Sequence, residues 1–225
     1  MKRGLLVLGV ATLVVLSFVG IAIADDSYVI SEYSGASQRG NGLIVDHSVN
    51  WTKAPANPNV VYIAVWTPEP YRDYIKRALV EVVREKGLTP IVVDNVMKYD
   101  LKGRLVIAYF PLAGSENRIL YREVSLSGVL YYSYAGDARS AAELMSRGFP
   151  SSEKSISEYA DRLCLMSSQR LTENYIPNLS CGVAYWWNLK AKVGRLKEGN
   201  PYEMVAREIA SQLSQFLRSD ESNES

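Results

Sequence analysis

The sequence predicts an α/β domain with a mixed sheet, and three observations carry that prediction. Residues 60–66, VVYIAVW, form a continuous apolar run of the length of a buried strand. Residues 68–86 repeat apolar side chains at helical spacing, and residues 90–94, PIVVD, form a second short apolar run. Strand, helix and strand in this order make a βαβ core with parallel strands and a right-handed crossover. Downstream segments read as antiparallel strands that extend this core, and a C-terminal helix closes it.

The chain opens on Lys2 and Arg3, followed by residues 4–24, GLLVLGVATLVVLSFVGIAIA, without a charge. A basic head, an apolar middle and Ala22-x-Ala24 before a polar stretch have the layout of a secretory signal, with the exported chain starting at Asp25. The run also exceeds the roughly 18 residues that a membrane-spanning helix requires, so a permanent N-terminal anchor stands as the second reading. In both, the basic residues stay cytoplasmic and everything after Ala24 is exported. No cysteine lies near the candidate cut, which excludes a lipid-modified cysteine there.

Residues 25–59 are polar and interrupted by Gly, Ser, Asn and Pro, which reads as a stalk partly packed on the domain. Apolar pieces at 28–30 and 43–45 could each form a strand. The single domain then spans residues 60–218. In its first helix Thr67 is the expected N-cap, Pro68 the first helical residue, and Glu69 a charge suited to the positive helix end. Tyr71, Ile75, Ala78, Leu79, Val82 and Val83 share one face, and Gly87 supplies the stop. RLVIAYF, 104–110, reads as a strand, PLAGSEN, 111–117, as a turn, and 118–134 as a returning strand in which Gly128 marks a bulge or bend. Short helices are expected near 136–148 and 151–171, then a strand at 181–193. The last helix begins at NPYE, with Asn200 as cap, Pro201 leading and Glu203 placed for a capping box. Its Val205, Ile209, Leu213 and Phe216 point one way, and residues 219–225 read as a disordered tail. This order of elements resembles small α/β modules found on envelope-associated proteins, although no motif ties it to a family.

Several chemistries lack their residues. With 25 basic and 24 acidic residues the chain has no basic field for nucleic acid. Neither glycine-rich phosphate motif occurs, and the TPEP turn after the first strand holds no glycine, so no nucleotide cofactor is expected. His47 is the only histidine, which excludes any metal site built on two; no metal is expected. A hydrolytic triad would have to recruit His47 from the irregular segment, and no G-x-S-x-G exposes a nucleophile. Glycoside hydrolysis requires only two carboxylates, and Glu69, Asp94 and Glu123 could supply them. Cys164 and Cys181, the only cysteines, are expected as a disulfide in an exported chain. Asn50 and Asn178 fit the glycosylation pattern, as does Asn223 in the tail.

The leading reading is an exported, membrane-associated module that binds an envelope protein or glycan and catalyses nothing. Two alternatives remain: an exported carboxylate-dependent hydrolase acting on glycans, and a glycan-binding module with stacking faces from Trp66, Trp186, Trp187 and Tyr131 to Tyr134. In open α/β sheets ligands collect beyond the carboxyl ends of parallel strands, which here selects Trp66, Thr67, Glu69, Asp94 and Asn95.

Overall fold

A computed structural model describes residues 28–32, 43–48, 57–98, 103–134, 145–149, 158–159, 162, 180–195 and 198–223. The fold is α/β, with a seven-stranded mixed sheet in the order β1-β7-β6-β5-β3-β4 and β2 also paired to β7. The strands are β1 (Tyr28–Glu32), β2 (Leu43–Ser48), β3 (Val60–Trp66), β4 (Thr89–Val92), β5 (Arg104–Asn117), β6 (Tyr121–Ser133) and β7 (Ser180–Gly194). Two long helices, α1 (Tyr71–Glu85) and α2 (Pro201–Asn223), accompany them.

The βαβ core forms as expected: β3 runs parallel to β4 on one side and to β5 on the other. Tyr71, Ile75, Leu79 and Val83 form the buried stripe of α1. Gly87, at φ +71, ends the helix. The Gly87 amide donates to Arg84 O and the Leu88 amide to Val83 O, the paired bonds of a Schellman stop. The helix start differs from expectation. It begins at Tyr71 behind Pro70, and Thr67 does not cap it. Thr67 and Glu69 each precede a proline, and a following proline ring keeps a residue out of the helical region. Placed at the sheet edge, β4 leaves Ile91 and Val92 partly exposed. Pro90, which lacks an N–H to donate, suits such an edge.

The segment PLAGSEN is strand, not turn. It forms the outer half of β5, where Leu112 to Asn117 pair with Ser127 to Arg122 of β6. The reversal comes after it, with the Arg118 amide donating to Tyr121 O. Turn-forming residues at Pro111, Gly114 and Ser115 are overridden because the cross-strand partner is present along the whole length. The register shifts between Tyr109 and Leu112, and again between Leu126 and Gly128 opposite β7, so Gly128 does mark an irregularity. A Cβ there would lie 2.3 Å from Tyr109 O and 2.6 Å from Phe110 Cα.

β1 and β2 lie end to end on the free edge of β7, β1 opposite Asn188 to Lys192 and β2 opposite Ser180 to Tyr185. Both apolar pieces of the N-terminal segment are thus strands. At the other terminus Asn200 caps α2, its Oδ1 accepting the Tyr202 amide at 3.0 Å. Glu203 Oε2 lies 3.8 Å from Arg207 Nη2. The helix continues to Asn223, through residues expected to be a tail.

The core sits between the sheet and both helices. Val61, Ile63 and Val65 of β3, Val106, Ala108 and Phe110 of β5, Leu130 and Tyr132 of β6, and Ala184 and Trp186 of β7 meet the stripes of α1 and α2. Val205, Ile209, Leu213 and Phe216 are all buried there, as their spacing predicts. The alternate positions, Leu105, Ile107, Val129, Tyr131, Val183 and Tyr185, are buried on the opposite face. Alternation with burial on both faces is why these strands read as continuous apolar runs.

Candidate functional site

β3 stands between its two parallel neighbours, and the chain leaves β3 and β4 in opposite directions along the strand order. The connection from β3 to β4 runs through α1. From β4 the chain crosses back past β3 to reach β5. Adjacent strands whose exits diverge in this way leave a crevice at their carboxyl ends. An open depression of about 610 Å³ occupies that position, lined by Val65, Trp66, Thr67, Pro68, Arg72, Asp94, Tyr109 and Pro111.

Each polar side chain in this cleft has a local reason for its place. Thr67 follows β3 and is 4% exposed, and its Oγ1 has no hydrogen-bond partner. Excluded from capping by the late helix start, it is a buried hydroxyl at the cleft wall with full donor and acceptor capacity. Arg72, in the first turn of α1, donates from Nε to Thr67 O at 3.1 Å and pairs through Nη1 with Glu69 Oε1 at 3.2 Å. Asp94 enters from beyond β4. Tyr109 stands level with Trp66 across the β3–β5 ladder, and the two rings meet edge to face at 6.3 Å. On its other side Tyr109 packs edge to face on Phe149 at 5.8 Å, and Phe149 on Tyr159. Burial raises the pKa of the Tyr109 phenol, so its hydroxyl stays protonated at neutral pH. One cation and one carboxylate, with an aromatic wall and two hydroxyls, suit a polar ligand of no net charge.

Of the five residues expected here, Trp66, Thr67 and Asp94 line the cleft. Glu69 stands behind it as the partner of Arg72, and Asn95 accepts the Lys98 amide at the opening of the 3₁₀ turn Val96–Lys98. Arg72 and Tyr109 were not legible as site residues. Tyr109 belongs to a strand whose parallel pairing with β3 only the sheet order reveals. The acids proposed for hydrolysis do not converge. Asp94 lines this cleft, while Glu123 lines a separate depression of about 240 Å³ between the β5–β6 hairpin and the start of α2. Among the described residues no three of His, Cys, Asp and Glu gather as a metal would require.

The aromatic surface is also redistributed. Tyr131, Tyr132 and Trp186 are fully buried and Tyr134 nearly so, which removes them as stacking faces. Trp186 instead packs on Phe110, and Tyr132 on Phe216. Trp66 and Trp187 remain half-buried. Cys181 and His47 lie opposite each other on β7 and β2. Cys164, Asn50, Asn178 and the apolar run 4–24 lie outside the described residues. Among the described helices none is long and apolar enough to cross a membrane.

No family model matches the chain, and no curated protein is similar to it. Solved structures to which the chain is weakly similar include the PelC dodecamer from Paraburkholderia phytofirmans, at TM-score 0.36 and 9% identity over 77% of this chain and 97% of that one. A minor lipoprotein from Acinetobacter baumannii is similar at TM-score 0.27 and 10% identity, over 72% of this chain and 92% of that one. Likenesses of this size assign no function.

Proposed function

We propose that this chain is an exported, membrane-associated binding module, and that its cleft takes a polar, uncharged portion of an envelope glycan. The buried, partnerless Thr67 hydroxyl beside the Trp66–Tyr109 wall carries this reading. Thr67 Oγ1 has no open surface in the empty cleft, so a ligand hydroxyl meets it where the side chain turns outward, and that bond removes the cost of an unpartnered buried hydroxyl. Trp66 supplies a ring against which the apolar face of a sugar can lie. Arg72 and Asp94 can donate and accept at opposite sides of such a ligand. Residues 4–24 support export through their length and their basic flank. The carboxylate chemistry of a glycosidase is not favoured, since Asp94 is the only acid among the described residues that line the cleft.

Titration calorimetry with neutral oligosaccharides tests the reading. Thr67→Val should leave the protein folded and no less stable while lowering affinity about tenfold, the loss expected for one good hydrogen bond. Trp66→Ala with Asp94→Ala should abolish measurable binding. Equal affinity in the parent and in both variants would show that this cleft is not the site.

A further inference from the structure

The outer half of the β5–β6 hairpin, with the end of β7 paired along it, reaches past the carboxyl ends of β3 and β4. From Tyr109, level with the cleft, to Asn117 the strand rises about 25 Å, at ~3.3 Å per residue. At its tip Ile119 is 91% exposed and Leu120 is 44% exposed. Arg118, Arg122, Lys192 and Arg195 surround them, against Glu116 and Glu123. The reversal is a built one rather than a loose loop. The Arg195 amide donates to Leu120 O, Arg195 Nε to Arg118 O, and Arg195 Nη2 to Asn117 Oδ1. Arg118 pairs with Glu116 at 2.9 Å, and Lys192 Nζ lies 4.3 Å from the centre of the Tyr121 ring. Two large aliphatic side chains are thus held in water on a stiff, basic, aromatic-flanked tip.

The sheet register says what lies beside that tip. β1 begins at Tyr28 opposite Lys192, next to the end of β7, and Gly194 stands opposite Tyr121 at the start of β6. Two strand spacings, about 10 Å, therefore separate the start of β1 from β6. Asp25, Asp26 and Ser27 alone connect Tyr28 to the apolar run 4–24, a reach of at most about 14 Å. The chain thus enters the sheet from its apolar run at the same end at which Ile119 and Leu120 protrude.

We propose that the β5–β6 tip is a membrane-resting foot, with Ile119 and Leu120 entering the interface of the bilayer that holds residues 4–24. Arg118 and Arg195 then meet anionic headgroups, and Tyr121 sits at the level where aromatic rings collect. Neither aliphatic side chain would anchor the chain alone. Tethering by residues 4–24 raises the local concentration of the tip at the surface, so a small apolar contact suffices to orient the domain. The carboxyl ends of β3 and β4 point the same way as the tip, so the foot holds the cleft about 25 Å from the lipid and facing it. The inference rests on retention of the apolar run, and is independent of which ligand fills the cleft.

The full chain in phosphatidylcholine–phosphatidylglycerol vesicles gives the test. An environment-sensitive dye is attached at Ile119→Cys and, in a second protein, at Glu81→Cys on α1, with the parent chain carried through labelling to correct for Cys164 and Cys181. Nitroxide-bearing lipid should quench the dye at 119 several-fold more than the dye at 81. Equal quenching at the two positions, in protein that floats with the vesicles, overturns the foot and leaves the anchor intact. Shielding of 119 from aqueous iodide without lipid quenching assigns the tip to a protein contact and also overturns the proposal. Full chain that fails to float overturns the anchor and the foot together, whatever the cleft binds.

Discussion

The two halves of the β5–β6 hairpin share strands, hydrogen-bonding and hand, yet they are built for different surroundings. In the inner half Leu105 to Ala108 pair with Ser133 to Leu130, and these residues, with Phe110, are all buried. In the outer half of β5 Leu112 is 50% exposed and Gly114 to Asn117 carry no apolar stripe, while Val124 and Leu126 of β6 opposite it stay buried. The bulge near Pro111 and the irregularity at Gly128 mark the division. Backbone pairing is therefore enough to continue a strand, but burial is decided by what lies over it. The inner half is buried on both faces, whereas the outer half joins the core through Val124 and Leu126 of β6. The outer half keeps a few ties to the body, one of them the Tyr71 hydroxyl donating to Gly114 O.

The largest effect should come from truncating a buried ring and an exposed side chain on the same strand. Phe110→Ala removes a fully buried side chain packed on Trp186 and should cost about 3–5 kcal/mol in urea unfolding. Leu112→Ala, two residues on, should cost under about 0.5 kcal/mol. Comparable losses at both positions would break the distinction.

Added volume gives the next contrast. Gly128→Ala forces a methyl into the backbone of Tyr109 and Phe110 and should destabilise by about 1–3 kcal/mol. At Gly114 an added Cβ meets Ser125 Oγ at 2.9 Å, a side chain that can turn away. Gly114→Ala should shift the unfolding midpoint by much less, and a larger shift there than at 128 would place the constraint in the arm.

Tyr71→Phe removes the hydrogen bond that ties α1 to the arm while keeping the buried ring. It should cost about 1 kcal/mol and raise amide exchange selectively in the outer half of β5. Uniform exchange across the hairpin would mean that the arm is held by its own pairing alone.

The smallest effect is a pH dependence that belongs to the body. Glu208 of α2 is partly buried with Oε1 unpartnered, and this burial raises its pKa above the usual glutamate value. The folded state then holds the proton more tightly than the unfolded one. Its contribution is fully favourable below the unfolded pKa and is lost as pH rises through the folded one. Glu208→Gln should flatten stability against pH in that window and add a fraction of a kcal/mol at neutral pH. An unchanged pH profile would show that the carboxylate is solvated in the folded protein.

Periodicity alone determined much of this protein. The βαβ core, the buried stripes of α1 and α2, the Gly87 stop and the Asn200 cap are local features, set by spacing and by the conformations open to Gly and Asn. The same reading located Trp66, Thr67 and Asp94, because strand ends follow directly from strand lengths. Tertiary structure decided the rest. PLAGSEN carries turn residues, and only a paired β6 along its whole length makes it strand. Tyr131, Tyr132 and Trp186 look available for stacking until the alternating faces of one sheet both find cover. Tyr109 joins the cleft because β5 lies parallel beside β3, and Arg72 because two X-Pro steps delay the start of α1. Such partnerships join residues far apart in the chain, and local preferences worth under a kilocalorie each yield to the burial and hydrogen bonds that those partnerships supply.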